Sequence, residues 1–162
     1  MNHKPLIVAF TGHRTYDGSA NDTLDATIRE LYTEGARHFR VGMAEGFDLA
    51  AGNAVVRLMQ EHSDITLEAC VPYPTFYHRL HGKEREEYTT IIRRATIIHY
   101  AGSDYVPAIF HLRNDMLVEG ASWLVAWWNG APSGTAYTIK RATKLGVNIK
   151  NIYPERQLTM EI

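Results

Sequence analysis

The sequence predicts a three-layer α/β sandwich whose sheet is mainly parallel. Short apolar runs alternate along the chain with segments in which apolar residues recur at helical spacing. Most of these runs are continuously apolar, which is typical of parallel strands covered by helices on both faces. The chain has 162 residues, and we expect residues 1–162 to form a single domain.

The predicted strands are the short apolar runs. They cover residues 6–10, 38–43, 65–71, 97–100, 123–128 and 148–153. Because most of these runs are nearly continuous in apolar residues rather than alternating, we expect both faces of the sheet to be covered.

Five segments between the runs are predicted as helices. They cover residues 23–34, 47–61, 84–94, 108–121 and 134–145. Leu24, Ile28 and Leu31 form the apolar stripe of the first helix. Gly35 and Gly146 stand where a glycine commonly ends a helix. Since strands and helices alternate, right-handed crossovers would place helices on both sides of the sheet.

The segment from Pro72 to Arg85 fits neither pattern and is rich in tyrosine, histidine, proline and arginine. A loop of this length within a compact domain is usually functional or mobile. Two interpretations stay open, a lid over a binding site and an inert insertion.

Composition argues against several classes of partner and site. Seventeen basic and eighteen acidic side chains nearly cancel, so nucleic acid is not the expected partner. No apolar run approaches the roughly 18 residues of a membrane span, so we expect no membrane partner and a cytoplasmic location. His78 and His81 lack a third ligand at recognisable spacing, so no metal site is expected. The sequence also lacks the Gly-x-Gly-x-x-Gly fingerprint of NAD-linked dehydrogenases, and no cofactor is expected. Cys70 ends an apolar run and is expected to be a buried, inert thiol.

Polar loops that contain glycine follow three of the predicted strands. In a parallel sheet all three lie at the carboxyl edge, where open α/β sheets bind ligands. The first loop contains Gly12, His13 and Arg14. Gly12 would allow a tight turn with N–H groups facing a phosphate, and Arg14 would bind that phosphate through its forked donors. His13 fits an orienting or packing role better than general base catalysis.

The second loop places Glu45, Gly46 and Asp48 directly before a helix. Asp48 would cap that helix or lie in its first turn. Glu45 has no such structural explanation, and its carboxylate would accept hydrogen bonds from ribose hydroxyls or act as an acid–base group. We therefore predict Glu45 and Asp48 as candidate catalytic residues and Gly46 as a phosphate-binding residue.

The third loop opens the last predicted helix. It contains Asn129, Gly130, Ser133, Gly134 and Thr135. Ser133 or Thr135 would cap this helix, while the remaining N–H groups beside Gly134 would form an anion-binding nest. Both interpretations hold together, and we predict that all five residues contact the ligand.

Arg113 and Asn114 form a further polar pair within an amphipathic stretch. Either they are solvated, or they point from the helix start toward the site, and we include both in the predicted ligand site. Trp123, Trp127 and Trp128 mostly indicate packing, with one ring stacked on a base as the alternative.

In their order and spacing, these motifs resemble the YpsA-like branch of the SLOG superfamily. The similarity rests on residues 11–14, 42–48, 71–74, 113–114, 127–130 and 133–135. That superfamily also contains the Lonely Guy-type phosphoribohydrolases and the DNA-processing protein A family. The resemblance covers nearly the whole chain and implies a Rossmann-like domain that binds a nucleotide or nucleotide-derived ligand as a dimer or larger homo-oligomer.

The resemblance leaves the activity open. The phosphoribohydrolases carry Pro-Gly-Gly-x-Gly-Thr-x-x-Glu, in which the glutamate is thought to act at the N-glycosidic bond, whereas this chain has Thr138 there. A threonine cannot replace a carboxylate in stabilising an oxocarbenium-like transition state. The first interpretation is therefore a nucleotide-binding sensor. The alternatives are hydrolysis of a nucleoside monophosphate through Glu45 or Asp48, and a DNA-binding module.

Overall fold

Strands and helices alternate along the chain, as the sequence predicts. The computed structural model describes residues 5–154, so both ends of the predicted domain 1–162 lie outside it. The strands are β1 (Ile7–Gly12), β2 (His38–Val41), β3 (Thr66–Val71), β4 (Ile97–Tyr100), β5 (Trp123–Trp127) and β6 (Asn148–Asn151). The helices are α1 (Asn21–Thr33), α2 (Phe47–Glu61), α3 (Gly82–Arg94), α4 (Ile109–Val118) and α5 (Gly134–Lys144), with a 3₁₀ helix at Pro74–Arg79. Every predicted element is present, and most ends are shifted by one to three residues.

The six strands form one sheet in the order β4-β3-β2-β1-β5-β6, and every pair of neighbours is parallel. Strands β2, β3 and β4 are added on one side of β1, whereas β5 and β6 are added on its other side, so the order reverses between β1 and β5. These two strands pair from Val8 with Trp123 to Gly12 with Trp127. At such a reversal the connecting loops run to opposite faces of the sheet and leave a crevice at the carboxyl ends of the strands.

Both faces of the central strands are buried. Val8 and Phe10 belong to the larger apolar cluster, under α1, α2 and α3, while Ala9 belongs to the cluster under α4 and α5. This alternation explains why the β1 run is continuously apolar. Cys70 lies in the second cluster, which confirms that its thiol is buried, and burial raises the pKa of the thiol to about 12.

Strand β4 departs from the expectation that every strand is covered. It lies at one edge of the sheet, and all four of its residues are exposed. Ile97, Ile98 and Tyr100 are 40%, 39% and 45% exposed. An apolar run therefore identified the strand correctly without revealing that it lies at an edge.

The segment from Pro72 to Arg85 is not the irregular loop that its composition indicated. It consists mainly of the 3₁₀ helix and the first turn of α3, and Pro74 occupies the first position of the 3₁₀ helix. Phe76 and Leu80 are both 1% exposed and pack into the larger cluster. The segment is therefore packed against the core. Arg79, the last residue of its 3₁₀ helix, is exposed.

The buried carboxylate of Glu68 on β3 contacts polar side chains of both neighbouring strands. Glu68 Oε1 lies 2.7 Å from His38 Nε2 and accepts a hydrogen bond of 3.0 Å from Arg40 Nε. Its other oxygen lies 3.1 Å from His99 Nδ1. The hydrogen bond with His38 is the largest influence, and with smaller help from His99 and Arg40 it lowers the pKa of Glu68 to about 2 against the effect of burial.

We expect Glu68→Gln to lower the free energy of unfolding at pH 7 by about 3 kcal/mol, since the pKa falls from 4.5 to about 2 and one pKa unit corresponds to about 1.4 kcal/mol. The folded pKa lies below the ordinary value of 4.5, so the ionised group stabilises the fold above that pH. This contribution is lost as the pH falls from 4.5 toward 2. Urea unfolding of both proteins at pH 7 and pH 3 measures it. A difference of equal size at both pH values would contradict this explanation.

Candidate functional site

A cleft of about 270 Å³ opens where the carboxyl ends of β1 and β5 lie side by side. The loops after β1 and β2, the first half of α4 and the start of α5 form its walls. It is lined by Thr11, Gly12, His13, Arg14, Ala44, Asp48, Phe110, Arg113, Asn114, Ser133, Gly134 and Thr135. Nine of the thirteen predicted site residues are among these, so the structure brings four distant segments of the chain together.

Two glycines hold the loops after β1 and β2 in contact. A Cβ on Gly12 would overlap the ring of Phe47, and a Cβ on Gly46 would lie 2.5 Å from the carbonyl oxygen of Arg14. The N–H of Phe47 donates to the carbonyl of His13 at 3.2 Å. Gly12 is the last residue of β1, so its observed role is close packing rather than the tight turn that we predicted.

The loop after β2 contains an unusual backbone conformation. Met43 has φ of +68° and is completely buried. A side chain in this region costs about 1 kcal/mol or more, so the surrounding packing must impose the conformation. The turn directs the N–H of Ala44 to Asp48, whose Oδ2 accepts it at 3.2 Å. Asp48 thus lies in the first turn of α2 while binding the preceding loop, and it does not cap the helix.

Two oppositely charged side chains, Asp48 and Arg113, form the floor of the cleft. They are 6% and 5% exposed, and both lie against Gly42. Arg113 Nε donates to Asn114 Oδ1 at 2.9 Å, and Arg113 Nη1 donates to the carbonyl of Gly42. Within residues 5–154, Nη2 has no hydrogen-bond partner and no carboxylate lies within 4.0 Å of the guanidinium.

Burial makes both charges on this floor unfavourable. It raises the pKa of Asp48, although the charges of Arg113 and Arg14 and the N–H of Ala44 oppose that shift. It also lowers the pKa of Arg113, against the attraction of Asp48. Neither charge fully compensates the desolvation of the other. An anion bound against Arg113 would offset the part of its desolvation cost that Asp48 does not offset.

The start of α5 presents backbone donors to the same cleft. Ser133 caps the helix as predicted, since its Oγ accepts the N–H of Ala136 at 3.1 Å. Gly134 and Thr135 follow the cap, and the first N–H groups of a helix have no acceptor within it. Both residues line the cleft, so these donors and the positive end of the helix dipole lie at the same cleft as Arg113.

The rim of the cleft carries Arg14. Its Nε lies 3.8 Å from Glu45 Oε1, its side chain is 57% exposed, and its guanidinium lies 5.7 Å from the centre of the Phe110 ring. An exposed pair of this length contributes at most about 1 kcal/mol, so Arg14 is free to turn toward a ligand. Glu45 lies beside the cleft without lining it, and its pairing with Arg14 is a structural role that the sequence analysis did not foresee.

Asn129 and Gly130 lie outside the cleft lining. The N–H of Asn129 donates to His13 Nε2 at 3.0 Å, and Gly130 has φ of +92° in the turn that follows. His13 also contacts the edge of Trp127, with ring centres 5.9 Å apart. These contacts agree with the predicted orienting or packing role of His13.

Arg113 and Asn114 occupy the middle of α4, not its start as we predicted. They are buried side chains of the cleft, which excludes the alternative of a solvated pair. Trp123, Trp127 and Trp128 are absent from the cleft lining, and Trp127 is 8% exposed. The packing interpretation therefore fits these rings.

Comparison with protein families identifies the chain. A family model described as the YspA SLOG family, with the short name YpsA, matches residues 8–161. The chain belongs to this SLOG family. The resemblance inferred from the motifs is thus confirmed, whereas a search of curated proteins finds no match.

Two solved structures share the fold of this SLOG protein. DNA processing protein A from Streptococcus pneumoniae has a TM-score of 0.65 and 18% identity, over 90% of this chain and 49% of that protein. DNA processing protein A from Helicobacter pylori has a TM-score of 0.67 and 19% identity, over 95% of this chain and 67% of that protein. The SLOG chain thus spans about half the length of the first of these proteins. The second structure was reported for its mode of binding single-stranded DNA.

The position at which phosphoribohydrolases carry glutamate is buried inside α5 of this SLOG protein. Thr138 is completely buried, and its hydroxyl donates to the carbonyl of Gly134 at 3.0 Å. It is absent from the cleft lining. Asp48 is therefore the carboxyl group that lines the cleft, with Glu45 beside it.

Three residues of the cleft were not predicted from the sequence, namely Thr11, Ala44 and Phe110. Thr11 and Ala44 stand within motifs that were singled out, so their position was a usable signal. Phe110 had no such signal, because its place depends on packing against Phe76 of the 3₁₀ helix, with ring centres 6.0 Å apart.

Two negative findings apply to residues 5–154. No group of three histidine, cysteine, aspartate or glutamate side chains in this range is arranged to hold a metal ion. No helix there is both long and apolar enough to cross a membrane.

Proposed function

We propose that this SLOG protein binds a nucleotide or nucleotide-derived phosphorylated molecule in the cleft between β1 and β5, as a sensor or ligand-binding protein. The observation that carries the proposal is the buried guanidinium of Arg113, which lines the cleft without a carboxylate at ion-pair distance in the described residues. A buried charge of this kind favours a bound counterion.

The phosphate fits between the floor and the start of α5. Arg113 supplies a charged donor from the floor, and Gly134 and Thr135 supply backbone N–H groups. Arg14 reaches the same space from the rim. The three contributions come from different elements, so a phosphate bound here would be held from more than one side.

The size of the cleft favours a ligand that extends beyond it. Ligand pockets usually enclose about 300–1,000 Å³, and the volume here is about 270 Å³. Phosphate and ribose fill such a space, which leaves a base near the Phe110 ring at the rim. Asn114 lines the wall and would form hydrogen bonds with ribose hydroxyls. Glu45, which pairs with Arg14 at the rim, would accept further hydrogen bonds from these hydroxyls.

Calorimetry with nucleoside monophosphates and with inorganic phosphate tests the proposal. We expect Arg14→Ala to weaken binding of the tightest monophosphate by about 1.5–3 kcal/mol, the range for a hydrogen bond to a charged group. Arg29→Ala is a matched control, because Arg29 is 49% exposed and pairs with Glu61 on the surface. Equal affinity of the folded Arg14 variant and the control would contradict the assigned role.

The same titrations examine the hydrolytic alternative. Burial raises the pKa of Asp48, which suits a proton donor, and Glu45 lies beside the cleft. Chromatography of the titrated samples detects free base if the N-glycosidic bond is cleaved.

We further propose that residues 1–162 form one domain, since the described strands form one sheet. We also propose that the protein acts in the cytoplasm.

Binding of single-stranded DNA is a second candidate function, and one surface of the protein favours it. Arg79 lies 5.3 Å from the ring centres of both Tyr105 and Phe110, and Arg14 lies over Phe110 as well. The exposed ring of Tyr105 and the partly exposed ring of Phe110, beside arginines, suit stacked bases and a phosphate backbone, even though the net charge is only −1. The Helicobacter pylori relative, reported to bind single-stranded DNA, shares the fold.

Oligothymidylate distinguishes the two candidates. If the strand is the ligand, Arg79→Ala weakens binding of the oligonucleotide, and rising salt weakens it further. If a mononucleotide is the ligand, Arg79→Ala leaves its affinity unchanged, because Arg79 does not line the cleft.

A further inference from the structure

The exposed edge of the sheet at β4 is an unusual surface for a monomer. Within residues 5–154, β4 pairs with β3 alone, so its outer N–H and C=O groups have no partner strand. Ile97, Ile98 and Tyr100 expose apolar surface on both faces of this strand. Native proteins usually protect such an edge, since it pairs readily with another strand.

Helix α3 flanks this edge with a self-complementary pattern of charge. Glu86 and Arg93 lie two helical turns apart on its exposed face, with Thr89 and Thr90 between them. The hydroxyls of Thr89 and Thr90 donate to the carbonyls of Arg85 and Glu86, at 3.0 and 3.1 Å. The polar groups of the two threonines are thereby satisfied within the helix, which leaves a small central surface between opposite charges.

We propose that a second copy of this chain docks here, with β4 antiparallel to β4 of the partner. The two-fold axis then stands perpendicular to the sheet, so α3 of both subunits lies on the same face, antiparallel and on either side of the new strand pair. With the axis between Thr89 and Thr90, Glu86 faces Arg93 of the partner subunit. Ile98 and Tyr100 from both subunits fill the space beneath the two helices.

One axis serves the strand and the helix together. The point between Thr89 and Thr90, the centre of the proposed contact between the helices, lies about 7 Å from the carboxyl end of α3 at a rise of 1.5 Å per residue. The centre of β4 lies about 5 Å from its start at about 3.3 Å per residue. Because only two residues separate the end of α3 from the start of β4, the two centres have nearly the same height along the strand.

The surface is independent of the proposed ligand site. Strands β3 and β2 separate β4 from β1, where the cleft opens. Dimerisation through β4 therefore leaves the cleft open and does not depend on the proposed function.

Sedimentation equilibrium of the full chain, over a concentration series at low ionic strength, tests the proposal. The unmodified chain is expected to be a dimer. Glu86→Arg places two arginines at each contact, and Arg93→Glu places two glutamates there, so each variant is expected to dimerise about tenfold more weakly. The double variant restores opposite charges and the original affinity. A mixture of the two single variants is expected to form heterodimers.

Glu34→Arg is the matched control, because Glu34 is exposed at the end of α1 and the substitution changes charge equally. It is expected to dimerise like the unmodified chain, and circular dichroism verifies the fold of every variant. A chain that stays monomeric throughout the series overturns the proposal. Single charge reversals that leave dimerisation unchanged overturn it too.

Discussion

Arg113→Met is expected to weaken binding of a nucleoside monophosphate by about 100-fold, or roughly 3 kcal/mol. The loss is large because Arg113 is only 5% exposed, so water screens the attraction of its guanidinium to a phosphate weakly. Methionine preserves much of the volume and removes the charge. Calorimetry measures the affinity, and thermal unfolding without ligand separates loss of binding from loss of fold.

Asp48→Asn is the matched control for this change, since it removes the opposite charge from the same floor. Asparagine keeps an oxygen that can accept the N–H of Ala44, as Asp48 Oδ2 does. Binding of the phosphate is expected to stay equal or to become tighter, because a like charge is lost. A folded Arg113→Met protein with full affinity would show that the phosphate lies elsewhere.

Gly46→Ala is expected to reduce the free energy of unfolding by about 3 kcal/mol or more, among the largest effects of a single methyl group. Two causes combine at this residue. Its φ of +82° is unfavourable for alanine, and the new Cβ would lie 2.5 Å from the backbone oxygen of Arg14. Backbone cannot move aside as a flexible side chain does, so the loops after β1 and β2 must separate.

Gly130→Ala isolates the first of these causes. Gly130 has a similar φ of +92°, and a Cβ there would have no neighbour within 4 Å. This variant is expected to lose only about 1–2 kcal/mol, the cost of the backbone conformation. Urea unfolding compares the two proteins. Equal losses would mean that the contact between Gly46 and Arg14 is unimportant for stability.

Much of the fold was predictable because local pattern and tertiary environment agree in its centre. The run of β1 is apolar throughout, since Ala9 faces one cluster and Val8 and Phe10 face the other. The cap at Ser133 was predictable for a similar reason, because its hydrogen bond to Ala136 is local. The exposure of β4 was not predictable, because a strand lies at an edge only when no other strand pairs with its outer side, and its own sequence does not show this.

The candidate site was likewise predictable only where local sequence determines it. The motifs around Arg14, Asp48 and Thr135 were found, because a polar loop after an apolar strand is visible in the sequence. The pairing of Glu45 with Arg14 was missed, as was the part that Phe110 plays in the cleft wall. Both depend on which segments meet in space.

By itself the sequence determined the alternation of strands and helices, the family, and the residues that stand at the carboxyl ends of the strands. These properties depend on periodicity and on neighbours close in the chain. Only the tertiary structure decided that Arg113 is a buried charge in the floor of a cleft and that β4 lies at an open edge. Burial and charge compensation depend on every element that packs around a group, and no local pattern contains that information.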